Sequence, residues 1–219
     1  MRFLISFILL IHLNLYINAQ SQNCVVLDVR GEVKIRPVNE SEWAAVSEGR
    51  ILENRETIRS GSLATARIAA FDGSIFQLSE NAQIEPRELQ HRDRNEIVME
   101  LTALELLKLP SQQKRPNLNQ SAFVLHGTLP DSGSWGSKKE LEIYLQLEKQ
   151  GAMALYEQGF IAGFIIKWNR LASIFPEARS ERAEAALIKA YAKMDMPYRM
   201  RKAIVAFKKH WPDSDLYVE

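Results

Sequence analysis

Cysteine is almost missing from this chain: Cys24 is the only one among 219 residues. A lone cysteine excludes an intramolecular disulfide scaffold, so the fold must be held together by its hydrophobic core. We interpret Cys24 as a half-buried thiol beside the first strand, and an intermolecular disulfide is the alternative.

An excess of charge of either sign is also lacking. Lys and Arg number 28 against 27 Asp and Glu, which gives a net charge of +1, and removal of a leader carrying Arg2 would bring it to zero. Proteins that bind nucleic acids or anionic membranes usually carry a clear basic excess. The composition therefore argues against a nucleic-acid partner.

Motifs for catalysis or cofactor binding are missing as well. The sequence contains no nucleophile elbow, no glycine-rich nucleotide loop and no His-Glu-x-x-His. Outside the N-terminal run, the histidines lack a second ligand at metal-binding spacing: His91, His126 and His210. A hydrolase-like set of His126, Asp131 and Ser132 falls in linker-like sequence, and Asp72 is interpreted as a turn residue. We expect no enzyme, no cofactor and no bound metal.

One long hydrophobic run stands at the N-terminus. Phe3 to Ile17 is nearly unbroken, follows Arg2, and gives way to polar residues after Ala19. This order is typical of a secretory signal peptide. We predict a signal peptide over residues 1–19, cleaved near Ala19, and export to the periplasm or envelope of a bacterium. An uncleaved anchor is the alternative.

Short β-strands separated by glycines and turn residues are predicted from Cys24 to Ile84. Asp72-Gly73 lies between two apolar runs and predicts a hairpin with a type I′ turn. Adjacent apolar residues such as Ile75-Phe76 indicate a sheet covered on both faces, as in a sandwich or roll. Trp43 is predicted to be a core or sheet-capping residue.

The β-rich part is predicted to continue to residue 127. Glu85 to Glu96 is densely charged and is predicted to be a solvated turn or edge. Three apolar residues would continue the strand series: Ile97, Val98 and Leu101. Residues 102–109 fit either a helix or a strand, and residues 122–125 a last strand. Residues 128–136, rich in Gly, Ser and Thr, predict a linker.

Residues 137–216 are predicted to be helical. Ser137 and Glu140 form a capping-box pattern at the start of the first helix. Turns are predicted at residues 158–159, 176–179 and 195–197.

The helical part repeats weakly. Tyr156 and Tyr191 are 35 residues apart, and Pro176 and Pro212 are 36 apart. Such a period is typical of paired-helix repeats, in which one helix hairpin is the repeated unit.

Residues spread over about 28–105 resemble the FecR domain family. The resemblance rests on Gly31-Glu32-Val33, Trp43, Glu48-Gly49, Ile51-Leu52, Ile58-Arg59-Ser60-Gly61, Ala66-Arg67-Ile68, Asp72-Gly73-Ser74, Leu78 and Asn81. It implies an all-β extracytoplasmic domain that senses a protein or ligand and has no catalytic residue. Because only Met1 and Arg2 precede the apolar run, we expect an exported stand-alone member rather than a transmembrane regulator of a sigma factor.

The helical part resembles tetratricopeptide repeats of the envelope-protein type, in which helix pairs end in an aromatic residue and proline. Gly159, Tyr191 and the Phe175-Pro176 pair carry this resemblance, which is degenerate. The predicted fold is thus α+β in two parts: an all-β FecR-like sandwich or roll over 24–127, then an all-α tetratricopeptide-like module over 137–216.

Two sets of residues are candidates for an interaction surface. Apolar residues of the first helix pair mostly pack helix to helix, but two pairs are fewer than the three usually needed to cover their own faces. One apolar face must then rest on the β part, on a second copy or on a partner. A basic cluster on the last helix is either a solvated face or a contact for an acidic partner. The named candidates are Trp168, Phe164, Arg199, Arg201, Lys202, Lys208, Lys209 and Trp43.

The function that these patterns favour is a non-enzymatic exported envelope protein that binds a ligand or protein and carries a helical protein-interaction region. Its expected partner is an envelope protein, with self-association as a further mode. The alternative is a cell-wall-associated protein that binds glycan, with Trp43 and Trp135 as platforms for stacking sugars.

Overall fold

The structure is a computed structural model, and it describes residues 23–38, 40–107 and 137–216. Several predicted features lie outside these residues: the signal peptide, the strand at 122–125, the linker at 128–136, and His126, Asp131, Ser132 and Trp135. None of the helices in the described ranges is long and apolar enough to cross a membrane.

In the described residues, eight strands form two antiparallel sheets of four strands each. In chain order they are β1 (Cys24–Arg30), β2 (Val33–Arg36), β3 (Ala44–Ala45), β4 (Ile51–Leu52), β5 (Thr57–Ser60), β6 (Thr65–Ala69), β7 (Ile75–Leu78) and β8 (Gln83–Ile84). The first sheet has the order β4-β1-β6-β7 and the second the order β3-β2-β5-β8. Val26 and Ile68 of the first sheet are buried in one core with Ile35 and Ile58 of the second. The predicted β-rich arrangement from Cys24 to Ile84 is confirmed as two antiparallel sheets. The expectation that both faces are covered is wrong at Ile75, which is 50% exposed while Phe76 is buried.

The β6–β7 hairpin is confirmed, but its type I′ turn is wrong. A type I′ turn needs positive φ at both central residues, and only Gly73, at 81°, has it. The Gly73 amide donates to the Ala70 carbonyl at 2.9 Å, and the Ala70 amide donates to the Ser74 carbonyl at 2.8 Å. Asp72 instead accepts hydrogen bonds from the amide and the hydroxyl of Ser74, at 2.9 and 2.6 Å. Its interpretation as a turn residue is confirmed.

Five α-helices follow in the described residues: α1 (Arg94–Leu107), α2 (Lys138–Glu157), α3 (Ile161–Ile174), α4 (Glu181–Lys193) and α5 (Pro197–His210). The N-terminal cap of α2 is confirmed, because the Glu140 amide donates to the Ser137 hydroxyl at 3.2 Å. The predicted turns at 158–159, 176–179 and 195–197 are confirmed as the breaks between α2, α3, α4 and α5.

Helix α1 overturns the prediction that strands continue beyond Ile84. Asp93 and Glu96 cap it reciprocally, since each carboxylate accepts a hydrogen bond from the other residue's amide at 2.9 Å. Ile97, Leu101 and Leu104 are buried at helical spacing and share the main core. The β-rich part is therefore not all-β.

The two C-terminal helix hairpins repeat their backbone hydrogen bonds at a spacing of 36 residues. Phe160 donates to Leu155 and Met196 to Tyr191, while Phe175 donates to Leu171 and Trp211 to Phe207, all at 2.8–2.9 Å. The spacing of 36 residues between the two prolines is therefore the length of the structural repeat. Tyr191 corresponds to Leu155 and not to Tyr156, so the tyrosine spacing of 35 does not mark equivalent positions.

Helix α2 lies along the side of the sandwich where both sheets end, at β7 and β8. Gly151 allows the close approach, because a Cβ atom there would stand 1.9 Å from the Gln83 carbonyl oxygen. At the end of α2 the Gln158 side chain accepts from the Gln77 amide at 2.7 Å and donates to the Gln77 carbonyl at 2.8 Å. The helix thus covers two edge strands that would otherwise present unpaired backbone groups.

Helix α3 packs against the 3₁₀ turn Pro86–Leu89 that follows β8. A Cβ atom on Gly163 would stand 2.0 Å from the Glu88 carbonyl oxygen. Phe76 of β7 and Phe160 meet edge to face at 5.4 Å between ring centroids. One core runs through both parts, so the apolar face of the helix pairs rests on the β part.

Cys24 is fully buried rather than half-buried, with its Sγ 3.9 Å from the Pro86 carbonyl oxygen. Burial raises the pKa of the thiol from 9.0 to about 12. Neither feature suits an intermolecular disulfide, which needs an accessible thiolate.

We expect Gly163→Ala to lower the free energy of unfolding by about 1–3 kcal/mol, because the added methyl group forces α3 away from the Glu88 carbonyl. Gln146→Ala, at an exposed position of α2, is the control. Chemical denaturation measures both. In a helix without this contact, Gly→Ala would instead stabilise by about 1 kcal/mol, and that result would contradict the close approach.

We expect the native Cys24 thiol to react with a maleimide about a thousandfold more slowly than an exposed thiol, because the thiolate is the nucleophile and the raised pKa depletes it. The reference is an exposed cysteine introduced as Ser62→Cys in a Cys24→Ser background. Labelling in denaturant should be fast for both. Equal native rates would show that Cys24 is accessible.

Candidate functional site

A cluster of buried charged side chains joins the β part to the helices. Lys167 of α3 lies 2.7 Å from a Glu148 carboxylate oxygen and 3.1 Å from a Glu88 oxygen. Arg170, one helical turn along α3, lies 3.0 Å from Glu88 and 3.4 Å from Glu85. All five side chains are buried or nearly so, which makes each charge dependent on its partners.

Hydrogen bonds complete the cluster on the β side. Gln83 of β8 donates from Nε2 to a Glu148 oxygen at 2.7 Å. Glu88 accepts from the Glu85 amide at 3.0 Å, and Arg87 donates to Glu85. The carboxylate of Glu88 is thereby shared between the turn that bears it and two cations of α3.

The pKa values of the two turn carboxylates in the cluster are shifted in opposite directions. Burial raises the pKa of Glu85, even though Arg170 opposes it. Burial also acts to raise the pKa of Glu88, but Lys167 and Arg170 outweigh it and hold that pKa below its ordinary value. For Lys167 burial acts to lower the pKa, and the carboxylates of Glu148 and Glu88 outweigh it and raise the pKa. Glu88 and Lys167 are therefore both charged at neutral pH.

The prediction of a solvated turn over Glu85 to Glu96 is wrong at both ends. Glu85 and Glu88 face α3 rather than water, and the last three residues, 94–96, belong to the first turn of α1. A sequence signal for this arrangement existed. Lys167 and Arg170 interrupt an otherwise apolar helix, in which Phe164 and Leu171 are buried, and cations at such positions need buried partners.

Phe164 and Trp168, two of the predicted surface candidates, lie in the core and are fully buried. The Trp168 indole donates to Glu184 of α4 at 3.1 Å, and Phe164 packs against Tyr156 at 5.1 Å between ring centroids. Neither can contact a partner, so the interaction-surface hypothesis is wrong for both and their helix-to-helix packing is confirmed.

The basic cluster of the last helix divides into one anchoring residue and a surface. Arg199 pairs with Glu105 of α1 at 3.1 Å and is mostly covered. The other four cations, Arg201, Lys202, Lys208 and Lys209, are exposed. Two large apolar residues lie in the same stripe at helical spacing: Tyr198 is 74% exposed and Val205 71%. These six residues are called the α5 face.

Packing against α4 and ion pairs with α1 fix the position of the helix that bears the α5 face. Phe207 is buried against Ala185 and Ile188 of α4, and its ring lies 5.2 Å from that of Trp211. A second ion pair joins Arg94, in the first turn of α1, to Asp195 in the α4–α5 turn at 3.1 Å.

Trp43 is half-buried at the surface of the second sheet, so of its two predicted roles the structure fits the sheet-capping residue and not the core residue. The guanidinium carbon of Arg59 lies over its ring at 3.8 Å from the centroid, and that of Arg36 lies at 4.9 Å. The part of the ring beneath Arg59 is therefore unavailable as a platform for stacking a sugar.

Three other candidates for chemistry lie in the described residues: His91, Asp72 and His210. His91 lines an open cleft of about 470 Å³ with Asp72 and Glu96, but Asp72 is bonded within its turn and Glu96 caps α1. His210 approaches the Ala206 carbonyl at 2.7 Å through Nδ1. Within the described ranges, no group of three or more His, Cys, Asp or Glu could hold a metal ion.

Comparisons of the chain with protein-family models, with curated proteins and with solved structures found no match.

We expect Glu88→Gln to lower the free energy of unfolding at pH 7 by about 3–5 kcal/mol, because it leaves the Lys167 and Arg170 charges without their shared carboxylate. The depressed pKa of Glu88 fixes how this loss depends on pH. The stability contributed by its ionised form is present above the ordinary value of 4.5 and is lost as the pH falls through the lower folded value. The gap between wild type and variant should therefore close below that pH.

Denaturant titrations from pH 7 to pH 3 measure this gap. The control is Glu142→Gln on the surface of α2, whose carboxylate lies 3.9 Å from Lys138. It should change stability by less than about 0.5 kcal/mol at every pH. A gap for Glu88→Gln that stays constant down to pH 3 would show that its ionised form is not what the cluster requires.

Proposed function

We propose that this is a non-enzymatic exported protein of a bacterial envelope, with a FecR-like module that binds a ligand or protein and a tetratricopeptide-like helical region that binds a partner protein. The observation that carries the proposal is the α5 face. It combines two widely exposed apolar side chains with four exposed cations on α5, the last helix in the described residues.

The composition of the α5 face is unusual for its position. An exposed helix face is normally polar, and large apolar residues that are neighbours on such a face indicate an interaction surface. Here Tyr198 and Val205 stand one behind the other at a spacing of seven residues. Tyrosine is enriched among the residues that dominate binding energy at interfaces. The face therefore suits a docked helix or extended segment better than bulk water.

The charges on the α5 face indicate an acidic partner segment. Arg201 and Lys202 lie between Tyr198 and Val205, and Lys208 and Lys209 follow one turn later. An amphipathic segment with an apolar stripe flanked by Asp and Glu would match both features. Electrostatic complementarity of this kind mainly raises the association rate and the specificity.

The other parts of the proposal draw support from the sequence and the fold. Two four-stranded sheets over Cys24 to Ile84 are compatible with the FecR-like interpretation. Helix hairpins that repeat at 36 residues and end before Pro176 and Pro212 are compatible with the tetratricopeptide-like one. The apolar run Phe3 to Ile17 supports export.

We expect Arg201→Glu with Lys202→Glu to reduce capture of the partner about tenfold or more, because two attractive contacts become repulsive. The measurement is the yield of cross-linked partner in cells, using a photoreactive residue in place of Val205. The control, Lys138→Glu with Lys139→Glu, makes the same charge change at exposed positions at the start of α2 and should leave the yield within about twofold.

The identity of the cross-linked chain tests the proposal further. An envelope protein whose contacting segment is acidic would support the adaptor function. Cross-links confined to other copies of this chain, or equal losses in both charge-reversed variants, would contradict it.

A further inference from the structure

The outer face of the second sheet carries a group of cations whose positions follow from strand alternation. Val33 and Ile35 of β2 point into the core, so Lys34 and Arg36 point outward. Arg59 of β5 pairs directly with Lys34 across the ladder. Three basic side chains therefore emerge side by side on one flat surface.

Ion pairing differs among these three cations. Lys34 forms an ion pair with Glu32 at 2.5 Å, whereas Arg36 and Arg59 are in none of the ion pairs found among the described residues. Burial and then the positive charge of Arg36 lower the pKa of Arg59. The protein places two like charges together here, and Glu32, whose carboxylate also acts on Arg59, is already paired with Lys34.

Trp43 holds the Arg36 and Arg59 side chains in place. Arg59 and Arg36 both lie over its indole ring, at 3.8 and 4.9 Å from the centroid, where the electron-rich face attracts cations. The attraction acts on the guanidinium as a whole and leaves its N–H groups able to donate hydrogen bonds to another molecule. Such an arrangement is ready to donate paired hydrogen bonds to a carboxylate or phosphate.

We propose that Arg36, Arg59 and Trp43 form a binding site for the acidic groups of an anionic glycan. The two guanidiniums bind the anion, and the indole is a positioning residue that fixes them. The ligand thus differs from a neutral sugar that would stack on Trp43. This site lies on a different part of the molecule from the α5 face and does not depend on it.

The surroundings favour a glycan over a membrane or an acidic protein. A membrane surface would require large exposed apolar side chains beside the cations, but Ile51 and Ile75 belong to β4 and β7 of the first sheet instead. A protein interface would require an apolar anchor at its centre. Trp43 lies under the two arginines, and its exposed neighbours in β3 are the small residues Ala44 and Ala45. The mode of binding that these surroundings favour is therefore polar, charge-assisted contact, which suits a sugar acid.

Isothermal titration of the purified protein with polygalacturonate, which bears one carboxylate per sugar, tests the proposal. Arg36→Gln with Arg59→Gln should weaken binding about tenfold or more, because charge-assisted hydrogen bonds are lost. The control, Arg30→Gln with Arg67→Gln, removes the same charge at exposed positions of the first sheet and should stay within about twofold. Equal losses in the two variants would overturn the proposal by showing that net charge alone is responsible.

Two further variants keep the test independent of folding defects. Arg36→Lys with Arg59→Lys keeps the charge but loses the paired donors, and Trp43→Leu keeps the arginines but loses their support. Both should weaken binding several-fold. Unchanged affinity in both would overturn the assigned roles.

Other probes separate the classes of ligand. Neutral dextran should not bind. Tighter binding of polyglutamate, or of vesicles containing phosphatidylglycerol, than of polygalacturonate would overturn the assignment to a glycan in favour of an acidic protein or a lipid surface.

Discussion

The structure depends on one buried contact, in which Glu88 meets Lys167 and Arg170. Moving ions of this size out of water costs several kcal/mol each, so such a contact is tolerated only when every charge finds a partner. Here the partners come from separate stretches of chain: the turn after β8, helix α2 and helix α3. The contact is therefore satisfied only when these three stretches meet, and loss of any one partner would leave a buried charge uncompensated.

Close packing of the backbones makes that contact geometrically attainable. Gly151 and Gly163 let α2 and α3 lie directly on the carbonyl groups of Gln83 and Glu88. Side chains of ordinary length can then reach across the junction. Because the core is also continuous, the α5 face and the arginine pair on Trp43 are carried by a single framework. A ligand bound at one of these surfaces would have a fixed position relative to a partner bound at the other.

Local signals in the sequence predicted much of this fold. Strand alternation, turn residues and the cap at Ser137 placed most of the strands and the later helices correctly. The signals that were missed were also local in part: Asp93 and Glu96 form a capping pair, and Ile97, Leu101 and Leu104 have helical spacing.

What local patterns could not supply was the pairing of distant residues. A charged stretch near Glu88 looks solvated until cations 79 and 82 residues away are brought to it. Likewise, whether Phe164 and Trp168 faced a partner or the core depended on what covered α3. Arg36, Arg59 and Trp43 come from three different strands or loops, so their grouping required the sheet register.

The paired hydrogen bonds between the Gln158 side chain and the backbone of Gln77 have a consequence for how the molecule is made. The amide group imitates one residue of an additional strand at the open edge of β7. Residue 158 leaves the ribosome 81 positions after residue 77, so the nascent sandwich has an uncovered edge during that interval. Its strands can form early, but they reach a state protected from pairing with other chains only when α2 has been synthesised. Folding of the β part is thus completed by the helices rather than merely followed by them.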